Sequence, residues 1–246
     1  MTSGGAPAPV RAGYWDQSRR LSMSVLFVLP LVALYQVGIV QSGSHVRNMA
    51  ELWIVQFISA VGLPAAHVIN ALIILGFVAA FLSVDKKTSL CLWFMLLMAL
   101  ESVLYAAAMV RGLGLAATVL HHEVGRFMSL GGVNWTPLLV GLGAGVYEEL
   151  VFRLGLLGGG AYLLRTVSRW SRGASLAVML VVSSVVFSAV HYVGPLGDSP
   201  ELFSFLFRAL AGLVLGTIFI YRGLGIAAWA HALYNLLVFL VVGGFA

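Results

Sequence analysis

Long apolar runs separated by short polar or basic stretches organise this chain, and each run is close to the roughly 20 residues needed to cross a bilayer. The pattern predicts spans near Leu21–Gln41, Pro64–Val84, Ser89–Val110, Pro137–Leu157, Ser175–Val193, Leu202–Tyr221 and Gly223–Val242. Two further stretches, Met49–Gly62 and Leu113–Leu130, are shorter or more polar and read as interfacial helices lying in the headgroup plane. The expected fold is therefore an all-α polytopic membrane bundle of about seven transmembrane helices with one or two interfacial helices. No repeat, long linker or soluble segment divides it, so residues 1–246 read as a single membrane domain.

Composition agrees with that reading. Hydrophobic residues make up 61% of the chain and charged residues only 9%, where a soluble domain carries about 25%. The apolar run at Leu21–Gln41 exceeds a usual signal-peptide core and reads as an uncleaved first span. The single Cys91 leaves no intramolecular disulfide and no thiolate metal cluster, and reads as a small core or lipid-facing residue.

Charge then orients the bundle. With the N-terminus in the cytoplasm, Arg11, Arg19, Arg20, Lys86, Lys87, Arg165, Arg169, Arg172 and Arg222 fall on the cytoplasmic side. Arg47, Arg111 and Arg126 fall outside, and Arg153 and Arg208 lie within spans. The basic balance thus reflects topology and contact with anionic lipid. No basic patch interleaved with aromatics points to nucleic acid.

Ionisable groups inside spans are costly and by default mark function. They concentrate in Val146-Tyr147-Glu148-Glu149-Leu150-Val151-Phe152-Arg153, in Phe187-Ser188-Ala189-Val190-His191, and in His231-Ala232-Leu233-Tyr234-Asn235. Adjacent helical side chains diverge by about 100°, so Glu148 and Glu149 are expected to face different points. Glu149 pairs with Arg153 one turn on, leaving Glu148 to face a cavity. His231 and Asn235 share a face, as do Phe187 and His191. A carboxylate and an imidazole in a partly dry cavity suit general acid–base chemistry: Glu148 takes a proton from water that His191 holds. His231 and Asn235 then donate hydrogen bonds to the developing oxyanion. Hydrolysis of a peptide bond by activated water uses those parts.

Glu-Glu-x-x-x-Arg, Phe-x-x-x-His and His-x-x-x-Asn, on three separate spans in that order, resemble the CAAX protease and bacteriocin-processing enzyme family, which contains the Ras-converting CAAX endoprotease. The resemblance covers 137–242 and includes the glycine-rich sixth span at Ala211–Gly216. It implies a glutamate-type, metal-independent intramembrane endopeptidase with Glu148, His191, His231 and Asn235 catalytic and Glu149, Arg153 and Phe187 supporting. It implies as substrate a membrane-associated protein or peptide cut near its C-terminus: a prenylated Cys-a-a-X tail, or in a bacterial inner membrane a C-terminal sorting segment.

Other readings compete. Glu148, His191 and His231 would make a two-histidine, one-carboxylate zinc set, but no His-Glu-x-x-His is present and Asn235 suits hydrogen bonding better, so no cofactor is expected. A non-catalytic binding protein of the bacteriocin-immunity or scaffold type would keep the same fold. A transporter using Glu101, Glu148 and Arg208 would show repeat symmetry, which the sequence lacks. Asn70 is a candidate partner for Glu101, Arg208 either snorkels or meets a carboxylate, and His121, His122 and Glu123 read as a solvated patch. Gly158-Gly159-Gly160 reads as a flexible point or break in the fourth helix. The oligomeric state is not legible.

The expected boundaries put Glu148 nine residues, His231 eight and His191 sixteen from the cytoplasmic ends of their spans. At 1.5 Å per residue that is a mismatch of about 10 Å, removed for Glu148 if the fourth helix continues to about Leu164.

Overall fold

The computed structural model describes residues 13–41, 47–83, 92–119, 135–194 and 197–240. Among them the chain is helical throughout, with no strand. Its elements are α1 (Tyr14–Ser18), α2 (Leu21–Gln41), α3 (Met49–Ala60), α4 (Ala65–Ser83), α5 (Leu92–Val119), α6 (Trp135–Glu148), a π-helical segment (Glu149–Gly159), α7 (Gly160–Thr166), α8 (Arg172–Ala189), α9 (Leu202–Arg222) and α10 (Leu224–Val238). A single 3₁₀ turn, Val190–Tyr192, ends α8.

Four of these helices are long and apolar enough to cross a membrane: Leu21–Gln41, Leu92–Leu115, Arg172–Tyr192 and Leu202–Arg222. Three shorter apolar helices, Met49–Ala60, His67–Ser83 and Leu224–Val238, accompany them. The expected fourth span runs without interruption from Trp135 to Thr166 and carries Glu148, Glu149 and Arg153. Its charges, more than its length, set it apart from the four. The protein is an integral membrane protein whose outer helices turn leucine and isoleucine outward, among them Leu72, Ile74, Leu75, Leu82, Leu96, Leu100 and Leu104. In water such a surface would be a large exposed apolar patch; in lipid it is the solvated face.

The shortest of the C-terminal helices, α10, is the centre of the bundle. Its small residues Ala227, Ala228, Ala230 and Ala232 are buried on every side, and Ile226 joins Met98 and Met109 of α5, Leu215 and Ile218 of α9 and Phe27 of α2 in the main core. Small residues let helix backbones approach closely. At Gly145 of α6 a Cβ would lie 2.7 Å from both the Cβ and the backbone nitrogen of Ala232. At Gly212 of α9 it would lie 3.0 Å from the Cα of Ser184 on α8.

Several expectations are corrected. The Gly158–Gly160 run does not break the helix: Gly158 and Gly159 end the π segment and Gly160 starts α7. A Cβ on Gly155 would sit 3.3 Å from the carbonyl oxygen of Leu150, five residues back, and one on Gly158 would sit equally close to the Arg153 carbonyl. Glycine thus relieves the crowding of the wider helix. Arg222 does not lie in a loop. Its side chain is buried at the end of α9, where Nε and Nη2 donate to the two carboxylate oxygens of Glu101 and Nη2 also donates to Ser18. Tyr14 donates to the same carboxylate at 2.6 Å, and burial followed by that contact pushes its phenol up to about 12. Asn70 is exposed and takes no part. Arg208 meets a carboxylate, Asp198, and lies over the Tyr192 ring.

The expected Leu113–Leu130 interfacial helix is in part the end of α5, through Val119; its remainder, with His121, His122, Glu123 and Arg126, lies outside the described residues, as does Cys91. Met49–Gly62 does form a helix, α3, packed through Ile58 against Ala65 and Ile69 of α4.

Candidate active site

The wide helical segment begins at the residue where the chemistry concentrates. Glu148 ends α6 and Glu149 opens the π segment, and π geometry is rare and frequent at functional sites. A wider turn reduces the angle between successive side chains. Glu148 and Glu149, expected to diverge, instead reach opposite edges of one imidazole. Nδ1 of His231 lies 2.9 Å from Oε1 of Glu149, and Nε2 of His231 lies 3.8 Å from Oε2 of Glu148. All three side chains are buried. A carboxylate only accepts, so Nδ1 carries a hydrogen and donates it to Glu149. Nε2, aimed at Glu148, then donates only in the imidazolium form.

Arg153 supports this line from behind. Its Nε is 3.3 Å from Oε2 of Glu149, its Nη2 donates to the Gly212 carbonyl at 3.5 Å, and its guanidinium lies 4.4 Å from the centre of the Phe187 ring. Glu149 and Arg153 are fully enclosed, where either charge alone would be strongly unfavourable.

Phe187 is the hub between the two histidines. Its ring centre lies 5.1 Å from that of His191 and 6.2 Å from that of His231, with Phe152 edge-on at 5.4 Å. His191 sits in the 3₁₀ turn that ends α8 and donates from Nδ1 to the Phe187 carbonyl at 2.7 Å. The carbonyl fixes the tautomer, so Nε2 is left with its lone pair. His191 and Glu148 line one small cavity with Phe152 and Val190, closed from α3 by Met49, Ala50 and Trp53. Its volume is about 10 Å³, and one water molecule needs roughly 10–15 Å³.

Two features remove the expected depth mismatch. The helix carrying Glu148 continues to Thr166, 18 residues further, while His191 stands 19 residues after the start of α8 at Arg172. The α9–α10 corner is recessed: Arg222 binds Glu101, nine residues into α5, which is about 14 Å of helix. His231 therefore starts its shorter count from deeper in the bundle. Gly223 makes that corner with φ 84°, a left-handed conformation that suits glycine.

Asn235 stands one turn of α10 away from this cluster. Its Nδ2 donates to the Gly141 carbonyl of α6 at 3.2 Å. Glu148, Glu149, Arg153, Phe187, His191 and His231 are brought together, and Asn235 fixes α10 against α6 beside them. Among the described residues, no three His, Cys, Asp or Glu side chains are grouped so as to hold a metal ion.

The stretch containing all three motifs, residues 131–237, matches one family model, Type II CAAX prenyl endopeptidase Rce1-like. Over these residues the chain is similar to that family. The family is one of proteases. No curated protein and no solved structure matches the chain.

Sequence reasoning placed α3 at the interface without a role at the site, yet it walls the catalytic cavity from outside the matched stretch. Asn48 caps α3, accepting from the Glu51 amide at 2.8 Å, and Glu51 is held by Arg47 and by the Tyr35 hydroxyl. The signal was present as Asn-x-x-Glu before an apolar run, the form of a capping box.

Proposed function

We propose that this protein is an intramembrane endopeptidase of the glutamate type, in which a water held between Glu148 and His191 attacks a peptide bond of a membrane-associated substrate. The cavity those two residues share, with room for about one water, is the observation that carries the reading. The water donates one hydrogen to the Glu148 carboxylate and the other to the bare Nε2 of His191. Its lone pair then faces the carbonyl carbon. On attack, Glu148 takes the proton and later delivers it to the departing amine, as a general base that becomes a general acid.

The developing oxyanion falls to His231 and Asn235. With Nδ1 committed to Glu149, His231 donates from Nε2 as an imidazolium, flanked by two carboxylates that offset its charge. One amide hydrogen of Asn235 is spent on Gly141; the other is the one assigned to the oxyanion. Glu149, Arg153 and Phe187 act through His231 and His191 by holding their rings. The reaction in this reading needs no metal.

The substrate approaches from the α3 side. Met49 and Trp53 separate the catalytic cavity from an apolar groove of about 650 Å³, walled by Leu52, Phe57 and Val193. Such a groove suits an apolar or lipid-bearing C-terminal segment. Arg19, Arg165 and Arg172 border one cavity at one end of the bundle, which supports a cytoplasmic N-terminus.

The deciding experiment compares wild type with Glu148→Gln and His191→Ala in detergent, on membrane-substrate peptides, with and without a strong chelator. Cleavage that survives chelation and is lost in both variants supports the reading. Cleavage by either variant at the wild-type rate overturns it, and chelator sensitivity reversed by zinc replaces it with a metal mechanism.

A further inference from the structure

We propose that the arginine-bordered cavity at the opposite end of the bundle binds the headgroup of an anionic phospholipid. It lies between the starts of α2, α8 and α10 and the ends of α7 and α9, holds about 340 Å³, and is open on one side. Arg19, Arg165 and Arg172 border it, and among the described residues no carboxylate does. All three arginines are exposed; Arg19 reaches the Ile220 carbonyl, and Arg165 and Arg172 have no ion-pair partner among the described residues.

The backbone adds positive potential at the same place. Gly223 and Leu224 line the cavity where α10, a 15-residue helix without a side-chain cap, begins. Arg172 is the first residue of the 18-residue α8, whose Ala174 amide is already taken by the Ser171 cap. Helix N-termini carry partial positive charge and free N–H groups suited to phosphate oxygens. A second, independent feature points to a ligand. Ser24 lines the same cavity, is fully buried, and its hydroxyl has no hydrogen-bond partner among the described residues. A buried hydroxyl without a partner is unfavourable unless something else meets it.

The surroundings identify a lipid as the source of the phosphate. Tyr162 and Trp170 are exposed at this end, and exposed Trp and Tyr mark the level of the headgroups. Leu154, Leu176 and Phe219 complete the wall with apolar surface, which fits a glycerol backbone and the first acyl carbons. A basic pocket between membrane helices is the form such sites take.

The test presents the purified protein with equimolar phosphatidylglycerol and phosphatidylcholine and reads retained lipid by native mass spectrometry. Wild type is expected to retain phosphatidylglycerol preferentially. The Arg165→Gln, Arg172→Gln double variant is expected to lower that retention about thirtyfold, from what basic residues contribute at anionic lipid surfaces. Arg20→Gln, at the same end but outside the cavity, is the charge control and leaves retention unchanged. Should the double variant fail to fold, Arg165→Gln alone is expected to cost about fivefold. Equal retention of the two lipids, or an equal loss in Arg20→Gln, overturns the site. Displacement of the lipid by inorganic phosphate overturns the lipid as its ligand and leaves a site for free anions.

Discussion

His231 donates from Nδ1 to Glu149 at 2.9 Å, not to Glu148, which it faces across 3.8 Å through its other nitrogen. The two adjacent glutamates therefore have separable tasks. One holds the imidazole and shares its charge with Arg153; the other keeps an oxygen toward the cavity it shares with His191.

That division predicts opposite profiles for two chemically identical substitutions. Glu148→Gln removes the base and is expected to lower kcat by about 10²–10⁴, with the melting temperature nearly unchanged. Glu149→Gln leaves the buried Arg153 without its carboxylate and is expected to lower stability by about 3–5 kcal/mol. Peptide cleavage and thermal unfolding, measured on both, check the assignment; the reverse pattern would exchange the two roles.

The π segment explains why sequence reasoning located these residues but not their partners. An ideal helix sends Glu148 and Glu149 in different directions, and with ideal geometry only one reaches His231. The i, i+4 pairing of Glu149 with Arg153 was legible because it survives the wider turn. The four long spans were legible from their apolar length alone. The depth of α10 was not, because it depends on Arg222 pairing with Glu101, residues 121 positions apart. Arg222 follows Tyr221 at the end of an apolar run, where a basic residue reads as a loop charge facing water. Only the packing of α1 and α5 around it makes it a buried ion pair.

Gly145 gives a purely steric prediction. A Cβ there would meet the backbone of Ala232 at 2.7 Å, and backbone cannot swing aside as a flexible side chain can. Gly145→Ala is expected to push α10 from α6, cost about 1–3 kcal/mol, and reduce activity by separating His231 from Glu148. Unfolding in detergent and single-turnover cleavage measure the two effects. Gly112→Ala, on α5 with open space at the added Cβ, is the control: it leaves activity unchanged and raises stability by about 0.5–1 kcal/mol.

Trp53 tests the route from α3. It borders both the catalytic cavity and the apolar groove, so Trp53→Ala joins the two spaces. The expected result is a changed KM for apolar C-terminal segments with a smaller change in kcat, because no reacting atom is touched. A loss confined to kcat would mean that α3 holds the catalytic groups instead of admitting substrate.

The Glu101–Arg222 pair sets the height of the α9–α10 corner, and with it the position of His231. Removing either partner leaves a charge in the bundle, so Glu101→Gln and Arg222→Gln are each expected to cost about 3–5 kcal/mol. The double variant should recover much of that, since its two amides leave no charge unpaired and still hydrogen-bond to each other. Activity separates position from stability. If the pair only stabilises the fold, the double variant cleaves at the wild-type rate wherever it remains folded. If it holds the recessed corner in register, kcat stays low after stability returns, because His231 no longer meets both glutamates. Unfolding and cleavage measured on the four proteins of this cycle decide between the two, and the recessed corner predicts the second.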